Sequence, residues 1–272
     1  MLLQRVLTAI PLAALMIWLI FFQPTTSLFY AFLVVGLIGG WEWSRLSGVK
    51  SILPRAIFSI VIALLIAVLV KSQNLASFYL LMSISLVWWI INIIKMLPQQ
   101  VADASDCFSL QKLLLGFIVL VPPVLALLFI HQFEQGAAWL FYSMSLVWVA
   151  DIGAYFSGKR FGKNKLAPAI SPGKTREGFY GAVIATSFYT LAAAIYFELS
   201  AIQIFIFLVI SLLATILSVA GDLFISLYKR ERGVKDSGNI LPGHGGILDR
   251  IDSLTSTAPF FALTLYGLLH YV

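Results

Sequence analysis

The sequence predicts an all-α integral membrane protein of about nine transmembrane helices, N-terminus cytoplasmic and C-terminus outside. Three observations carry this expectation. Of 272 residues, 60% are hydrophobic and only 11% charged, whereas a soluble chain carries roughly 45–50% apolar and about 25% charged residues. The apolar residues run continuously and do not alternate, which excludes a β-barrel as well as a soluble globular or disordered chain. The basic residues fall almost entirely on one side of the predicted crossings. A disulfide scaffold is excluded too, because Cys107 is the single cysteine.

A crossing helix needs about 20 mostly apolar residues to span roughly 30 Å of hydrocarbon. The first stretch, 6–22, follows Arg5 as a signal peptide would. It is rather long, and Phe22-Gln-Pro-Thr lacks the small-x-small cleavage pattern, so it is expected to be retained. The second, 28–43, comes after a connection at 21–27 containing Pro24 and ends in Gly-Gly-Trp-Glu-Trp. The third, 57–70, is short, and the fourth covers 77–94. A connection at 97–111, with Pro98 and several polar residues, leads to the fifth at 113–130. The sixth, seventh, eighth and ninth cover 139–156, 179–197, 202–223 and 254–271. Two long connections, 157–178 and 224–253, follow the sixth and the eighth. We treat the chain as a single membrane unit, with 1–135 as N-terminal scaffold helices and 136–272 as a catalytic half carrying both connections.

With sides alternating, the N-terminal side collects Arg5, Arg45, Lys50, Arg55, Lys95, Lys112 and all the basic residues of the two long connections. Only Lys71 of the 18 Lys and Arg falls opposite. The positive-inside rule makes that side cytoplasmic, and function is expected there.

An ionised carboxylate at the centre of a spanning helix costs about 2.5–3.5 kcal/mol on insertion scales, so one that persists needs a partner. Asp151 lies in the sixth stretch and Asp222 near the end of the eighth. Each alone could snorkel or bond a neighbouring helix. Together, beside the two basic connections, they point to a site. Glu42, among tryptophans with Arg45 three residues on, is read as an interfacial anchor with a local ion pair.

In the first connection, Ser171-Pro-Gly-Lys-Thr175 combines backbone flexibility, two hydroxyls and a lysine just before an apolar helix. That composition suits a phosphate held at a helix N-terminus, although the glycine spacing is not that of a Walker A loop. The second connection interleaves Glu231, Asp236, Asp249 and Asp252 with Lys229, Arg230, Arg232, Lys235 and Arg250. Carboxylates to hold a metal and cations to neutralise phosphate are what a magnesium–polyphosphate substrate requires. If helical, Asp249 and Asp252 share a face. Glycines around His244 allow close backbone approach to a ligand. A zinc site at His244 is not expected, for want of cysteines or a second histidine in the loop.

The run Ser226-Leu-Tyr-Lys-Arg, Lys235-Asp236-Ser-Gly, Pro-Gly-His244-Gly-Gly-Ile-Leu-Asp249-Arg250-Ile-Asp252 resembles the signature of the phosphatidate cytidylyltransferase (CDP-diacylglycerol synthase) family. Asp151-x-Gly-Ala-Tyr155, Phe161-Gly-Lys through Gly178, and Gly221-Asp222 reinforce the resemblance, which is dense over residues 147–259. Ile152 departs from it, standing where a Ser or Thr is common. The resemblance implies transfer of the cytidylyl group of CTP to phosphatidate, giving CDP-diacylglycerol and diphosphate at the cytoplasmic face of a bacterial inner membrane.

It also implies residue roles. Asp222 and Asp249 are the expected Mg²⁺ ligands, with Asp151 a third candidate, and Asp151, Asp236 and Asp252 support them. Lys174, Arg176, Lys229, Arg230, Lys235 and Arg250 are candidate phosphate clamps, and Ser171 and Thr175 candidate phosphate donors. His244 is an orienting donor or a structural part of its turn. A second, monovalent cation such as K⁺ belongs to the same expectation. Expected partners are CTP, phosphatidate, the bilayer and a second copy in a homodimer; no nucleic acid is expected. The alternatives are a cytidylyltransferase for an ether-lipid phosphate and an ion or anion transporter using the intramembrane aspartates.

Overall fold

Backbone polar groups inside hydrocarbon find no water, so apolar runs of this length close their hydrogen bonds internally as helices. The computed structural model describes residues 2–72, 74–96 and 107–271, with the backbone alone at 2–6, 270 and 271. In chain order it contains α1 (Leu2–Phe22), α2 (Thr25–Leu46), α3 (Ile52–Ser72), α4 (Leu75–Met96), α5 (Leu110–Ile130) and α6 (Gly136–Phe161). Two short strands follow, β1 (Lys165–Ala167) and β2 (Ser171–Thr175), then α7 (Arg176–Tyr196), α8 (Ala201–Glu231) and α9 (Leu248–Tyr271). Each predicted stretch is a helix, and α2 to α8 are long and apolar enough to cross a membrane. The chain is an all-α integral membrane protein. Most of the connection expected at 97–111, residues 97–106, lies outside the described residues.

The helices run further than hydropathy predicts. The connections expected at 157–178 and 224–253 shrink to 162–175 and 232–247, because α6 and α8 continue to Phe161 and Glu231 while α7 and α9 begin at Arg176 and Leu248. A helix outside hydrocarbon needs caps, not apolar residues. Thr175 supplies one, accepting from the Gly178 amide at 3.1 Å. The first connection is a small antiparallel hairpin, with Lys165 opposite Thr175 and Ala167 opposite Ser171. Ser171–Thr175 is therefore a strand and not a flexible loop.

Less apolar than its neighbours, α9 is enclosed by protein. Leu254, Phe261 and Leu265 are buried along it, and so are Ser253, Thr255, Ser256 and Thr257. The hydroxyls of Thr255, Ser256 and Thr257 bond main-chain carbonyls, Ser256 reaching Leu217 of α8 at 2.7 Å. Because α9 packs on α4 and α5 as well as α8, the two halves of the chain interlock. Hydroxyls also join α6, α7 and α8, where the Tyr142 hydroxyl lies 2.8 Å from Thr190 and 2.7 Å from Ser211.

Contacts between helix ends orient α1, α2, α5, α8 and α9 in the bundle. At one end, Thr8 of α1 meets His244 before α9, and Lys112 at the start of α5 pairs with Glu231 at the end of α8. At the other, His131 after α5 meets Thr25 of α2 and the Ile20 carbonyl of α1. Arg230 Nε donates to the Ile170 carbonyl at 3.3 Å, tying both connections together at the first end.

Helices α6 and α7 touch backbone to backbone. A Cβ on Gly153 would stand 2.7 Å from the Gly181 carbonyl oxygen and 2.7 Å from Ala185 Cβ. Gly153→Val should force the helices apart at a cost of about 1–3 kcal/mol, seen as a lower thermal midpoint of the protein purified in detergent.

Candidate active site

The two aspartates singled out as metal ligands are held in the same way. Asp222, on α8, accepts from Ser226 Oγ one turn later on Oδ1 at 3.1 Å and carries Lys174 Nζ of β2 on Oδ2 at 2.6 Å. Asp249, on the first turn of α9, carries Lys229 Nζ on Oδ1 at 2.7 Å. Its Oδ2 accepts from Ser237 N at 2.8 Å, Ser237 Oγ at 3.0 Å and Gly246 N at 2.9 Å. In each carboxylate, hydroxyl or amide donors fix one oxygen and an ammonium group covers the other. Lys229 lies two turns beyond Asp222 on the same helix, α8.

The loop reaches Asp249 through left-handed glycines. Gly243 and Gly245 have φ of 77° and 82°, which side chains disfavour. They turn the chain so that Leu241 N donates to Gly245 O at 2.9 Å and the Gly246 amide points at Asp249.

Asp252, on the next turn of α9, lies in the electrostatic neighbourhood of Asp222, Lys229 and Asp151. Asp151, on α6, shares a neighbourhood with Asp222, Lys174 and Arg250. Asp151 and Lys174 line a cavity of about 340 Å³ between α6, α7, α8 and the hairpin, with Ala154, Tyr155, Phe179 and Val219 forming its apolar wall. Polar groups thus meet an apolar surface where the hairpin joins the helix ends.

The remaining predicted residues are placed less centrally. Thr175 spends its hydroxyl oxygen capping α7 and is buried. Arg230 spends donors on the Ile170 and Val234 carbonyls. Ser171 lies at the start of β2, and Arg176, Lys235, Asp236 and Arg250 are exposed around the site. His244 Nδ1 lies 2.6 Å from Thr8 Oγ1, anchoring its turn to α1.

Glu42 is the residue that sequence reasoning misplaced. It is 1% exposed and accepts from Ser237 Oγ and from the amides of Ile247 and Leu248 at the start of α9. It is a buried clasp on the loop before α9, not an interfacial anchor. An acid in an apolar stretch was the only signal, and Arg45 nearby offered a local explanation for it.

Among the described residues, no three His, Cys, Asp or Glu side chains gather into a metal cage. Magnesium does not need one, since it is commonly held by one or two carboxylates together with water and substrate phosphates. Asp222 and Asp249 fit that role. Their oxygens are hard donors, each held by an outer partner on one side and facing a cation on the other.

Comparison with known proteins gives the family. The profile of the Cytidylyltransferase family matches residues 3–268. A phosphatidate cytidylyltransferase of Pseudomonas aeruginosa is 39% identical over 270 residues, 98% of each chain. The enzyme of the same name from Haemophilus influenzae is 37% identical over 296 residues, covering 99% of this chain and 100% of the relative. That from Bacillus subtilis is 35% identical over 278 residues, covering 97% and 98%.

The two ion pairs should differ in what they contribute to stability. Lys229→Met leaves a carboxylate whose side chain is 4% exposed without its cation, which costs about 3–5 kcal/mol for a buried pair. Lys174→Met strips Asp222, which is 27% exposed, and should cost less, because water still reaches that carboxylate. Thermal midpoints of the two variants in one detergent, ranked against the parent, check this order.

Proposed function

The chain belongs to the cytidylyltransferase family, and on that premise we propose that it transfers the cytidylyl group of CTP to phosphatidate, leaving CDP-diacylglycerol in the membrane and releasing diphosphate. It is a nucleotidyltransferase of phospholipid synthesis. The observation that supports this most is the pair of lysine–aspartate contacts, one of which brings Lys174 to a cavity with polar and apolar lining. Family membership does not favour an ion transporter, and the relatives' names do not favour an ether-lipid phosphate.

The phosphate oxygen of phosphatidate attacks the α-phosphorus of CTP, and the bond to the bridging oxygen of the diphosphate breaks. Such a transfer depends on positioning and on neutralising charge that gathers on the leaving group. Lys174 and Lys229 carry that charge when phosphate oxygens replace their aspartate partners, with Arg250 beside them. Asp222 and Asp249 would hold Mg²⁺, a Lewis acid toward the leaving diphosphate, with Asp151 and Asp252 adding negative charge nearby. A second, monovalent cation such as K⁺ would balance part of that charge. The phosphatidate headgroup enters through the cavity at Asp151 and Lys174, and its acyl chains follow the apolar wall. No general base is required, because a phosphate monoester is already largely ionised at about pH 7. His244 orients the loop through Thr8.

CTP is cytoplasmic, so the end of the bundle holding both connections faces the cytoplasm of a bacterial inner membrane. All nine helices cross, with the N-terminus inside and the C-terminus outside. The homodimer belongs to this proposal as well, with lipid-facing Ile184, Phe188 and Ile195 of α7 as an apolar surface.

Labelled CTP supplied to the purified protein with phosphatidate in mixed micelles should give CDP-diacylglycerol. Asp222→Asn or Asp249→Asn should lower turnover by about 100-fold or more, as removal of a preorganised electrostatic group does. Near-parental turnover by Asp249→Asn would reject the site, and label confined to an ether-linked product would reject the lipid.

A further inference from the structure

We propose that Glu42, near the end of α2, is a positioning residue for this reaction, fixing the Asp249 carboxylate through Ser237 and the first turn of α9. The inference rests on the cytidylyl-transfer function proposed above. Glu42 lies far from the signature in sequence, in the half of the chain expected to be scaffold. Its Oε1 accepts from Ile247 N at 3.1 Å, and its Oε2 from Leu248 N at 2.9 Å and Ser237 Oγ at 3.0 Å. The Ser237 hydroxyl also stands 3.0 Å from Asp249 Oδ2. Its one proton serves one of these carboxylates at a time, while the Ser237 amide keeps hold of Asp249 at 2.8 Å.

The loop is moulded round the Glu42 side chain. A Cβ on Gly238 or on Gly246 would overlap the Glu42 carboxylate. Beneath it, Trp43 donates from Nε1 to the Lys112 carbonyl at 2.9 Å and packs on Tyr228 with ring centroids 5.1 Å apart. This locks α2 to α5 and to α8, the helix that carries Lys229. Asp249 is therefore gripped from two sides, Oδ2 by the loop that Glu42 holds and Oδ1 by Lys229.

Helix capping alone does not call for this arrangement. Here α5, α7 and α8 are capped by a Ser or Thr immediately before them, at no cost in buried charge. A carboxylate drawn from another helix into a site with 1% exposure is costly unless fully bonded. What it adds over a local cap is a fixed orientation for Asp249, as partners behind a metal ligand provide.

The test uses the full-length protein in detergent with Mn²⁺ as the probe, its binding followed by loss of the free-ion EPR signal. Limited trypsinolysis after exposed Lys235 reports how firmly the loop is docked. Glu42→Gln keeps the size of the side chain but turns an amide N–H₂ against N–H donors. It should weaken Mn²⁺ binding about ten-fold, as loss of an outer-shell partner does, and speed cleavage at Lys235. Mn²⁺ affinity within about two-fold of the parent overturns the proposal even if cleavage quickens, leaving Glu42 as a structural clasp. Should Glu42→Gln fail to fold, Glu42→Asp is held to the same two outcomes, since it keeps the charge but shortens the reach to Ser237 and to the amides of Ile247 and Leu248. Neither readout needs turnover. Failure of the parent protein to form CDP-diacylglycerol would therefore overturn the reaction, and unchanged Mn²⁺ binding the role of Glu42.

Discussion

A carboxylate withdrawn from water must be met by donors or a cation, and this requirement shapes the functional end of the molecule. Glu42, Asp222 and Asp249 satisfy it with partners drawn from different parts of the chain. Glu42 is met by amides of α9 and a loop hydroxyl, Asp222 by a β2 lysine, and Asp249 by an α8 lysine and loop amides. None of these groups is satisfied within its own turn of helix alone. Each acid therefore ties two or three elements together, and the set closes only when the whole end of the bundle is assembled.

The same requirement explains the polarity of α9. A helix facing lipid must be apolar, but one surrounded by protein is free to carry hydroxyls and acids that its neighbours bond. Ser256 bonding Leu217 and Asp249 bonding Lys229 both tie α9 to α8, while Leu248 bonding Glu42 ties it to α2. α9 is thus one of the elements through which the N-terminal helices reach the site, together with the loop before it and α8. A division into scaffold and catalytic halves describes the density of the motifs and not the packing, since Glu42 and Thr8 both belong to the first half.

Most of the helices were legible because hydropathy over a span is a sum over many residues, insensitive to any one. Helix ends were not. The last three residues of α8, Lys229 to Glu231, are all charged, so no hydropathy signal separates them from a loop. The hairpin at 165–175 was hidden behind Pro172 and Gly173, which read locally as flexibility. At the site, the sequence made Asp222, Asp249, Lys174 and Lys229 conspicuous by type and neighbourhood. Which lysine meets which aspartate depends on how α8, α9 and β2 cross, and spacing carries no record of that. Glu42 was harder still, because all its partners lie between Ser237 and Leu248 and only the folded chain brings them within reach.

The arrangement also bears on how a highly charged substrate enters a partly buried site at low cost. Asp222 and Asp249 already hold ammonium groups, and Lys174 and Lys229 already hold carboxylates. A magnesium–nucleotide presents both signs at once. On the function proposed above, Asp222 and Asp249 would hold its Mg²⁺ and Lys174 and Lys229 its phosphates, so that each protein charge would exchange one partner for another. No isolated charge has to be desolvated during that exchange, the step that would be most expensive in a low-dielectric site. The exchange works only if the carboxylates stay in place when their lysines leave. Ser226 behind Asp222, and Ser237 with the Gly246 amide behind Asp249, are bonded to the oxygens that the lysines do not touch. Of these, only the Asp249 support is itself braced by a second buried carboxylate, which is why the constraint runs back to Glu42.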